Sequence, residues 1–238
     1  MIDFHSHVLP GIDDGADSVE ESLAMLRRSR DQGVSTVVAT PHYFCDQTDP
    51  EAFLSARQKA YDVLKQAMKG EALPELRLGC EVHLTKKIPD LALLDQLCIE
   101  GTSCILLEMP YELWQPWLND AVYRVIASRK LTPVIAHVDR YRPMLTHFEK
   151  IEQLLAMEVY VQLNADAFLD WRMRRIVKKL MNLDKPLVLG SDMHNMTDRQ
   201  THMQAASKKI VKRFGADALD AMEKNAAFLL KEKSALLQ

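Results

Sequence analysis

Seven times along this chain a short run of apolar and β-branched residues gives way to a longer run with helical spacing, and nearly every short run carries a histidine or a carboxylate at or just after its carboxyl end. The short runs span residues 2–5, 34–40, 76–82, 104–109, 133–137, 159–163 and 187–190. Short apolar strands alternating with helices predict an α/β fold with a parallel sheet. Closing the sheet into a barrel would cover both of its edges. An open doubly wound sheet is the alternative, but the glycine fingerprint that such sheets use for dinucleotides is absent. The 238 residues, 47% of them hydrophobic, suffice for a full core, and no interdomain linker or internal repeat interrupts them.

The helical runs carry their own punctuation. Ser18-Val19-Glu20-Glu21 reads as a capping box that opens the first helix, with Leu23, Met25 and Leu26 on its apolar side. Asp49-Pro50 reads as an N-cap followed by proline at the first helical position, in a helix that runs to Lys69 before Gly70. Further helices are expected near residues 90–98, 116–130, 148–157, 171–181, 198–214 and 217–231.

In a barrel of this kind the functional site gathers at the carboxyl ends of the strands. Those positions hold His5, His7 and Asp14 after the first strand, His42 after the second, and Glu81 at the third. Glu108 follows on the fourth, His137 on the fifth, and Asp192 and His194 on the seventh, while the sixth ends on Asn164. Five imidazoles and four carboxylates therefore fall on one face of the fold. In His5-Ser6-His7 both rings point to one side, because a strand has a period of two. Glu108 interrupts Cys104-Ile105-Leu106-Leu107, where a buried strand should be apolar, and an unpaired buried carboxylate is costly. Asp13 competes with Asp14, since either could be the turn residue of Ile12-Asp13-Asp14-Gly15.

Imidazole mixed with carboxylate suits Mn, Fe or Zn, and no thiolate joins the set. Nine ligands are enough for two to three divalent ions if a carboxylate such as Glu81 bridges. Three such ions against four carboxylates leave about two positive charges, or about one with a bridging hydroxide, a natural match for a dianionic phosphate monoester. Arg140 and Arg199 stand in loops on the same face, and arginine forks fit phosphate oxygens. His83, His147 and His202 are assigned to the surface or to a supporting role, and Cys80 to packing. The basic run Arg172, Arg174, Arg175, Lys178 and Lys179 reads as a solvated helix face.

The net charge of −3 gives no global field toward nucleic acid, and no apolar run is long enough to insert into a membrane. The opening MIDFHSHVLPGIDDG lacks the pattern of a signal peptide. The four cysteines, Cys45, Cys80, Cys98 and Cys104, form no CxxC pair, which fits a reducing cytoplasm.

His5-Ser-His7, the Leu9-Pro-Gly-Ile-Asp-Asp-Gly15 loop, Ala39-Thr-Pro-His-Tyr43, Gly79-Cys-Glu81, Leu107-Glu108, Ala136-His137 with Arg140-Tyr141, and Gly190-Ser-Asp-Met-His-Asn195 resemble the PHP (polymerase and histidinol phosphatase) superfamily. The chain is most similar to its capsule-locus branch, the manganese-dependent tyrosine-protein phosphatases of the CpsB/CapC/YwqE type. The resemblance spans nearly all of residues 1–238, as one PHP-type domain. It implies a distorted (β/α)7 TIM-like barrel with a trinuclear site. His5, His7, Glu81 and Asp192 would hold one ion; Glu81, Glu108 and His137 a second; Asp14, His42 and His194 a third. Arg140 and Arg199 match phosphate-contacting arginines of the family. The implied partner is a phosphotyrosine protein, a bacterial tyrosine autokinase of capsule or exopolysaccharide assembly, and homo-oligomers are allowed. Two departures bear on substrate choice: His137-Val138-Asp139-Arg140 replaces the usual His-Pro-Glu-Arg, and residues 165–170 differ from the small, glycine-containing family loop.

The resulting expectation is hydrolysis of phosphomonoesters by in-line attack of a metal-bridged hydroxide, with the arginines holding the developing charge. A phenolate with a pKa of about 10 leaves with little acid assistance. The rivals are a small-molecule phosphatase such as one for histidinol phosphate, a metal-dependent amidohydrolase, and an inactive metal-binding module.

Overall fold

The computed structural model describes residues 1–111, 114–141 and 148–231. His147 lies outside the described residues. Among the described residues nine strand segments, all paired in parallel, are arranged in two sheets. The first contains β1 (Ile2–Ser6), β2 (Thr36–Ala39) and β4 (Glu75–Leu78). The second runs β3 (His42–Tyr43), β5 (Glu81–His83), β6 (Cys104–Glu108), β7 (Thr132–Ile135), β8 (Tyr160–Asn164) and β9 (Leu187–Gly190).

The two sheets are one ring in seven passes. β2 continues into β3 across Thr40-Pro41, and β4 into β5 across Gly79-Cys80. Backbone hydrogen bonds carry the ladder through both breaks, from Gly79 N to Ala39 O (2.8 Å) and from Glu81 N to Pro41 O (3.0 Å). The ring closes where the chain after β9 meets β1: Asp192 N donates to His5 O (2.8 Å), His7 N donates to Met193 O (2.9 Å), and Ser6 bridges Met193 in parallel. The expected distorted seven-stranded barrel is therefore present, with edges removed by closure.

The helices that the strands alternate with are α1 (Val19–Asp31), α2 (Pro50–Ala67), α3 (Pro116–Ala127), α4 (Phe148–Leu155), α5 (Ala165–Leu169), α6 (Arg174–Met181), α7 (Met203–Phe214) and α8 (Ala216–Leu229). Leu26 of α1, Leu64 of α2 and Val122 and Val125 of α3 are buried in one apolar cluster with outward strand residues such as Ile105, Leu107 and Val161. A second cluster fills the barrel: Phe4, Val38, Leu106, Val134 and Val188, joined by Ala226 and Leu229 of α8. α8 crosses the N-terminal end of the strands, where Ile2 N donates to Glu223 (3.1 Å) and Asn225 Nδ2 to Leu187 O (3.0 Å).

The expected caps form with one change. Asp49 Oδ1 accepts from Glu51 N (3.0 Å) and Ala52 N (3.1 Å). Ser18 Oγ accepts from Glu21 N (3.2 Å), but the Glu21 carboxylate reaches back to Asp17 N (3.1 Å) instead of the N-cap amide.

Other expectations are corrected. Residues 90–98 are not a helix. They form 3-10 turns at Ile88–Asp90 and Leu94–Leu97, separated by an extended Leu91 whose carbonyl Arg129 satisfies (3.0 Å). The bend lets Ile88, Leu94 and Leu97 all become fully buried. Residues 165–170 contain the short helix α5, and 171–181 is a 3-10 turn (Trp171–Met173) before α6. α7 begins at Met203, not at 198, because Asn195 Oδ1 gathers the amides of Thr197, Asp198 and Arg199 (2.9–3.1 Å) into a loop. Side chain–backbone bonding of this kind competes with helix formation.

Candidate metal centre

β1 delivers its two histidines through an irregularity. Between Asp3 and Ser6 it spends three residues against the two of β2 from Val37 to Ala39, a bulge. Phe4 can thus join the apolar filling while its neighbour His5 joins the polar cluster above. Two glycines make room. A Cβ on Gly190 would sit 2.7 Å from His5 Cβ, and one on Gly15 would sit 2.1 Å from His7 O. The GIDDG loop and the GSDMH segment need glycine there because backbone presses on the ligand histidines.

Glu81 is the hub. Its Oε2 lies 3.1 Å from His5 Nε2, 3.3 Å from His7 Nε2 and 3.1 Å from His42 Nδ1; its Oε1 lies 2.7 Å from His137 Nε2. Glu108 Oε1 lies 3.6 Å from His137 Nε2. Asp192 Oδ1 lies 3.7 Å from His5 and 3.5 Å from His7. Asp14 Oδ1 lies 3.5 Å from His42 Nε2 and 3.4 Å from His194 Nε2. All nine expected ligands thus converge at the C-terminal mouth of the barrel. Three overlapping groups have ligand atoms within 4.8 Å of one another: His5, His7 and Glu81; His42, Glu81 and Glu108; and His7, Asp14, His42 and His194. Arg140 pairs with Asp192 Oδ2, and Arg199 reaches Asp192 Oδ1 (3.3 Å) and Asp14 Oδ2 (3.6 Å).

The donor set fits cations. His5 Nε2 and His7 Nε2 face each other at 3.1 Å, a distance at which at most one of them can donate. His194 Nε2 is buried without a hydrogen-bond partner, and so is His42 Nδ1, which approaches Glu81 without hydrogen-bond geometry. Buried ring nitrogens left unpaired are costly in a dry site unless a metal takes their lone pairs.

Residues behind the ligands hold their orientation. Asp13 Oδ2 accepts from His7 Nδ1 (2.7 Å), Gln162 Oε1 from His5 Nδ1 (3.1 Å), and the Asp192 carbonyl from His194 Nδ1 (2.9 Å), which leaves each Nε2 facing the cluster. Asp13 does not share the role of Asp14. It also accepts from His42 N (2.9 Å) and Gly15 N (3.0 Å), so it braces the loop, whereas Asp14 is 61% exposed. Asn164 Nδ2 donates to Asp192 Oδ2 (3.0 Å), and Asp139 accepts from Asn164 N (2.9 Å). His83, assigned above to the surface or a supporting role, does the latter at Glu108 Oε2 (3.0 Å), while His202 pairs with Asp166 outside the cluster. Cys80 packs as expected, its thiol on Leu97 O. Gln162 and Asn164 were not singled out from sequence. Their signal is two polar residues of like parity inside the apolar strand Tyr160–Asn164.

Backbone strain collects here too. His137 (φ 27°) and Asp192 (φ 54°) adopt the left-handed region without being glycine. Gln162 Oε1 holds His137 N (2.6 Å), and His5 O holds Asp192 N.

Burial alone would raise the Glu81 carboxyl, but the charges of His5 and His137 and their hydrogen bonds hold it well below the usual range. Asp192 is likewise held low against burial by His5, His7 and Arg140. Burial and the charge of His7 push His194 down to about 2 and lower His42, so both rings stay neutral, the form that binds metal. Burial would also lower His7, but hydrogen bonds to Asp13, Asp192 and Glu81 carry it well above the ordinary value in the metal-free molecule.

Fold and cluster together define a parallel α/β barrel with imidazoles and carboxylates that could hold metal gathered at its C-terminal mouth. The family described as "Capsular polysaccharide synthesis, CpsB/CapC" matches residues 1–231, and the chain belongs to it. It is 27% identical to the tyrosine-protein phosphatase YwqE of Bacillus subtilis (strain 168), over all of this chain and 94% of that protein. It is 28% identical to the tyrosine-protein phosphatase CpsB of Streptococcus agalactiae serotype V, over 97% and 98% of the two chains. A solved structure from work on YwqE of B. subtilis and CpsB of Streptococcus pneumoniae, described as metal-dependent tyrosine phosphatases, superposes with a TM-score of 0.86 at 26% identity, covering 97% of this chain and 94% of that one. Among the described residues no helix is long and apolar enough to cross a membrane.

Proposed function

We propose that this protein is a metal-dependent phosphatase that removes phosphate from phosphotyrosine on proteins, in capsular or exopolysaccharide synthesis. The observation that carries this reading is the convergence at the barrel mouth of the three overlapping groups of possible ligands with His137 on Glu81 and Asp192 beside His5 and His7, five imidazoles and four carboxylates in all, with two arginines on the same carboxylates. Family membership and the named activity of YwqE and CpsB support the choice of phosphotyrosine over a small-molecule ester. Residues 1–238 act as one domain in this reading, and the continuous strand ring supports it.

His5, His7, Asp14, His42, Glu81, Glu108, His137, Asp192 and His194 would hold two to three divalent ions, with manganese our choice and Fe or Zn compatible with the same donors. When bound, such ions supply Lewis acidity and a nucleophile activated at neutral pH. The remaining work falls to the chain. Glu81 and Asp192 stay ionised and fix the neighbouring rings. Arg140, partly exposed and also hydrogen-bonded to Tyr111, pairs with Asp192, and Arg199 pairs with Asp192 and Asp14; with those carboxylates holding cations, both guanidinium groups would be free to bind the phosphoryl oxygens. Buried ligands keep bulk water out on the barrel side. A tyrosine phenolate leaves without a dedicated acid. The partner we propose is a bacterial tyrosine autokinase, met in the cytoplasm; the four free cysteines support that compartment.

The test is metal analysis of the purified protein, with turnover of a phosphotyrosine peptide and of histidinol phosphate measured before chelation, after it, and after Mn is restored. Expected are loss on chelation, recovery with Mn, and a strong preference for the peptide. Turnover indifferent to chelation, or preference for histidinol phosphate, sinks the reading.

A further inference from the structure

A cavity of about 650 Å³ beside the cluster is lined by Asp14 and His42, by Ile12 and Phe44, and by Ala52 and Ala56 of α2. Ala52 and Ala56 stand four residues apart, on one face of the helix, and both are exposed. Phe53 contributes a buried wall. The other polar lining comes from Asp13, Gln47 and Thr48, and among the described residues no lysine or arginine lines the cavity. The Phe44 ring is half-buried and lies 5.4 Å from the His42 ring and 5.3 Å from the His83 ring, so it forms an aromatic wall adjoining the ligands.

Charge divides the mouth of the barrel. Arg140 and Arg199 meet at Asp192. The cavity lies on the His42 and Asp14 side of the cluster; Arg199 reaches Asp14 (3.6 Å) without lining the cavity, which offers Asp13, Asp14 and apolar surface. Away from Asp14 and His42 the lining gives a phosphate group no cationic partner, whereas Ile12, Phe44, Phe53 and the two alanines give an aromatic ring apolar contact. Apolar pockets of several hundred Å³ that meet a few placed polar groups are where organic ligands bind. A phosphomonoester anchored by the arginines therefore has beside it a recess with apolar walls in which to lodge its organic part.

Resting on the phosphatase reading above, we propose that this cavity receives the aromatic ring of the leaving group. Phe44 and the Ala52–Ala56 face of α2 then make the site select aryl over alkyl phosphates. The ring lies between Phe44 and α2, and the alanines are small enough to leave that gap open. Phe44, Ala52 and Ala56 are specificity determinants in this scheme; they hold no metal and move no proton.

The experiment compares wild type with Ala56→Trp, which fills the gap from an exposed helix position, and with Phe44→Ala, which removes the wall. A short peptide carrying a difluoromethylphosphonate analogue of phosphotyrosine, and separately inorganic phosphate, is titrated calorimetrically into the Mn-loaded proteins. Expected is a loss of about tenfold or more for the phosphonate peptide in both variants, with phosphate changed by no more than about twofold. In parallel, kcat/KM for p-nitrophenyl phosphate falls and that for glycerol 2-phosphate holds. If Ala56→Trp weakens neither ligand, or both equally, the cavity is not the aryl site. Selective loss in Tyr111→Ala with none in Ala56→Trp also overturns the proposal, by moving the ring to the other side of the mouth. A wild type that binds phosphate and hydrolyses both esters while the variants fail to discriminate defeats the cavity alone; a wild type that hydrolyses no phosphomonoester defeats the phosphatase reading and the proposal with it.

Discussion

At its N-terminal end the barrel is filled by Phe4, Val38, Leu106, Val134 and Val188 and sealed by Ala226 and Leu229 of α8; at its C-terminal end the same strands present five histidines and four carboxylates. The lower half keeps regular pairing, with β2 and β4 in unbroken register from Thr36 and Glu75 to Ala39 and Leu78. The upper half is interrupted at Thr40-Pro41, at Gly79-Cys80, and at the left-handed His137 and Asp192. The difference shows where folding and function draw on separate resources. Apolar burial below contributes the stability that lets charge be buried above, at a cost no isolated cluster could sustain. Substitutions at the two ends should therefore separate activity from stability.

The largest effect is expected at the hub. Glu81→Gln keeps the shape of the side chain and removes the charge that four histidines face. Turnover should fall by about a thousandfold or more, equivalent to roughly 4 kcal/mol of transition-state stabilisation, with bound metal lost in step. Far-UV circular dichroism should stay that of the wild type. If activity and metal content both survive, the top of the barrel is not a metal centre.

Next comes the plug. Leu229 is 4% exposed and packs into the barrel floor. Leu229→Ala should cost about 2 to 5 kcal/mol of stability, seen as a lower Tm and denaturation midpoint. Turnover per folded molecule should hold at temperatures well below the transition. A variant that keeps its Tm but loses activity would show that the two ends are not independent.

The sequence was more informative about the upper end than about the path of the chain between. Glu108 inside Cys-Ile-Leu-Leu and the His-x-His of β1 betray themselves because charge in an apolar strand needs a partner. The mates of those residues are subtler. Gln162 looks like a strand's ordinary polar face until β8 is known to be buried on both sides. The bulge in β1 leaves no mark in composition, yet it lets Phe4 and His5 both turn inward. The five-residue α5 is too short for any period to register, and the extended Leu91 defeats the helical spacing around it for a reason, Arg129, that lies 38 positions away.

The smallest effect sharpens the comparison most, because Asp13 is bound to the site without facing into it. Its carboxyl is held down to about 2: burial opposes this, and the hydrogen bond and charge of His7 outweigh it. With its folded value below the ordinary one of about 3.9, Asp13 contributes stability that is present above that value and lost as pH falls through about 2. His7 runs the other way. Raised in the metal-free protein, it contributes stability that is full below about 6.5 and lost as pH rises through its higher folded value. Metal must displace that proton, so loading should weaken as pH falls and should release protons into a weakly buffered solution. Asp13→Asn keeps a hydrogen-bond acceptor for His7 and removes the charge. Metal affinity at pH 8 should drop by about 10- to 100-fold, the usual effect of a lost carboxylate behind a ligand histidine. The variant should also release fewer protons on loading, because His7 is then less basic, so its deficit narrows as pH is lowered. Proton release equal to the wild type's would mean that Asp13 braces the Gly15 loop through its backbone contacts and leaves the ligand's basicity alone.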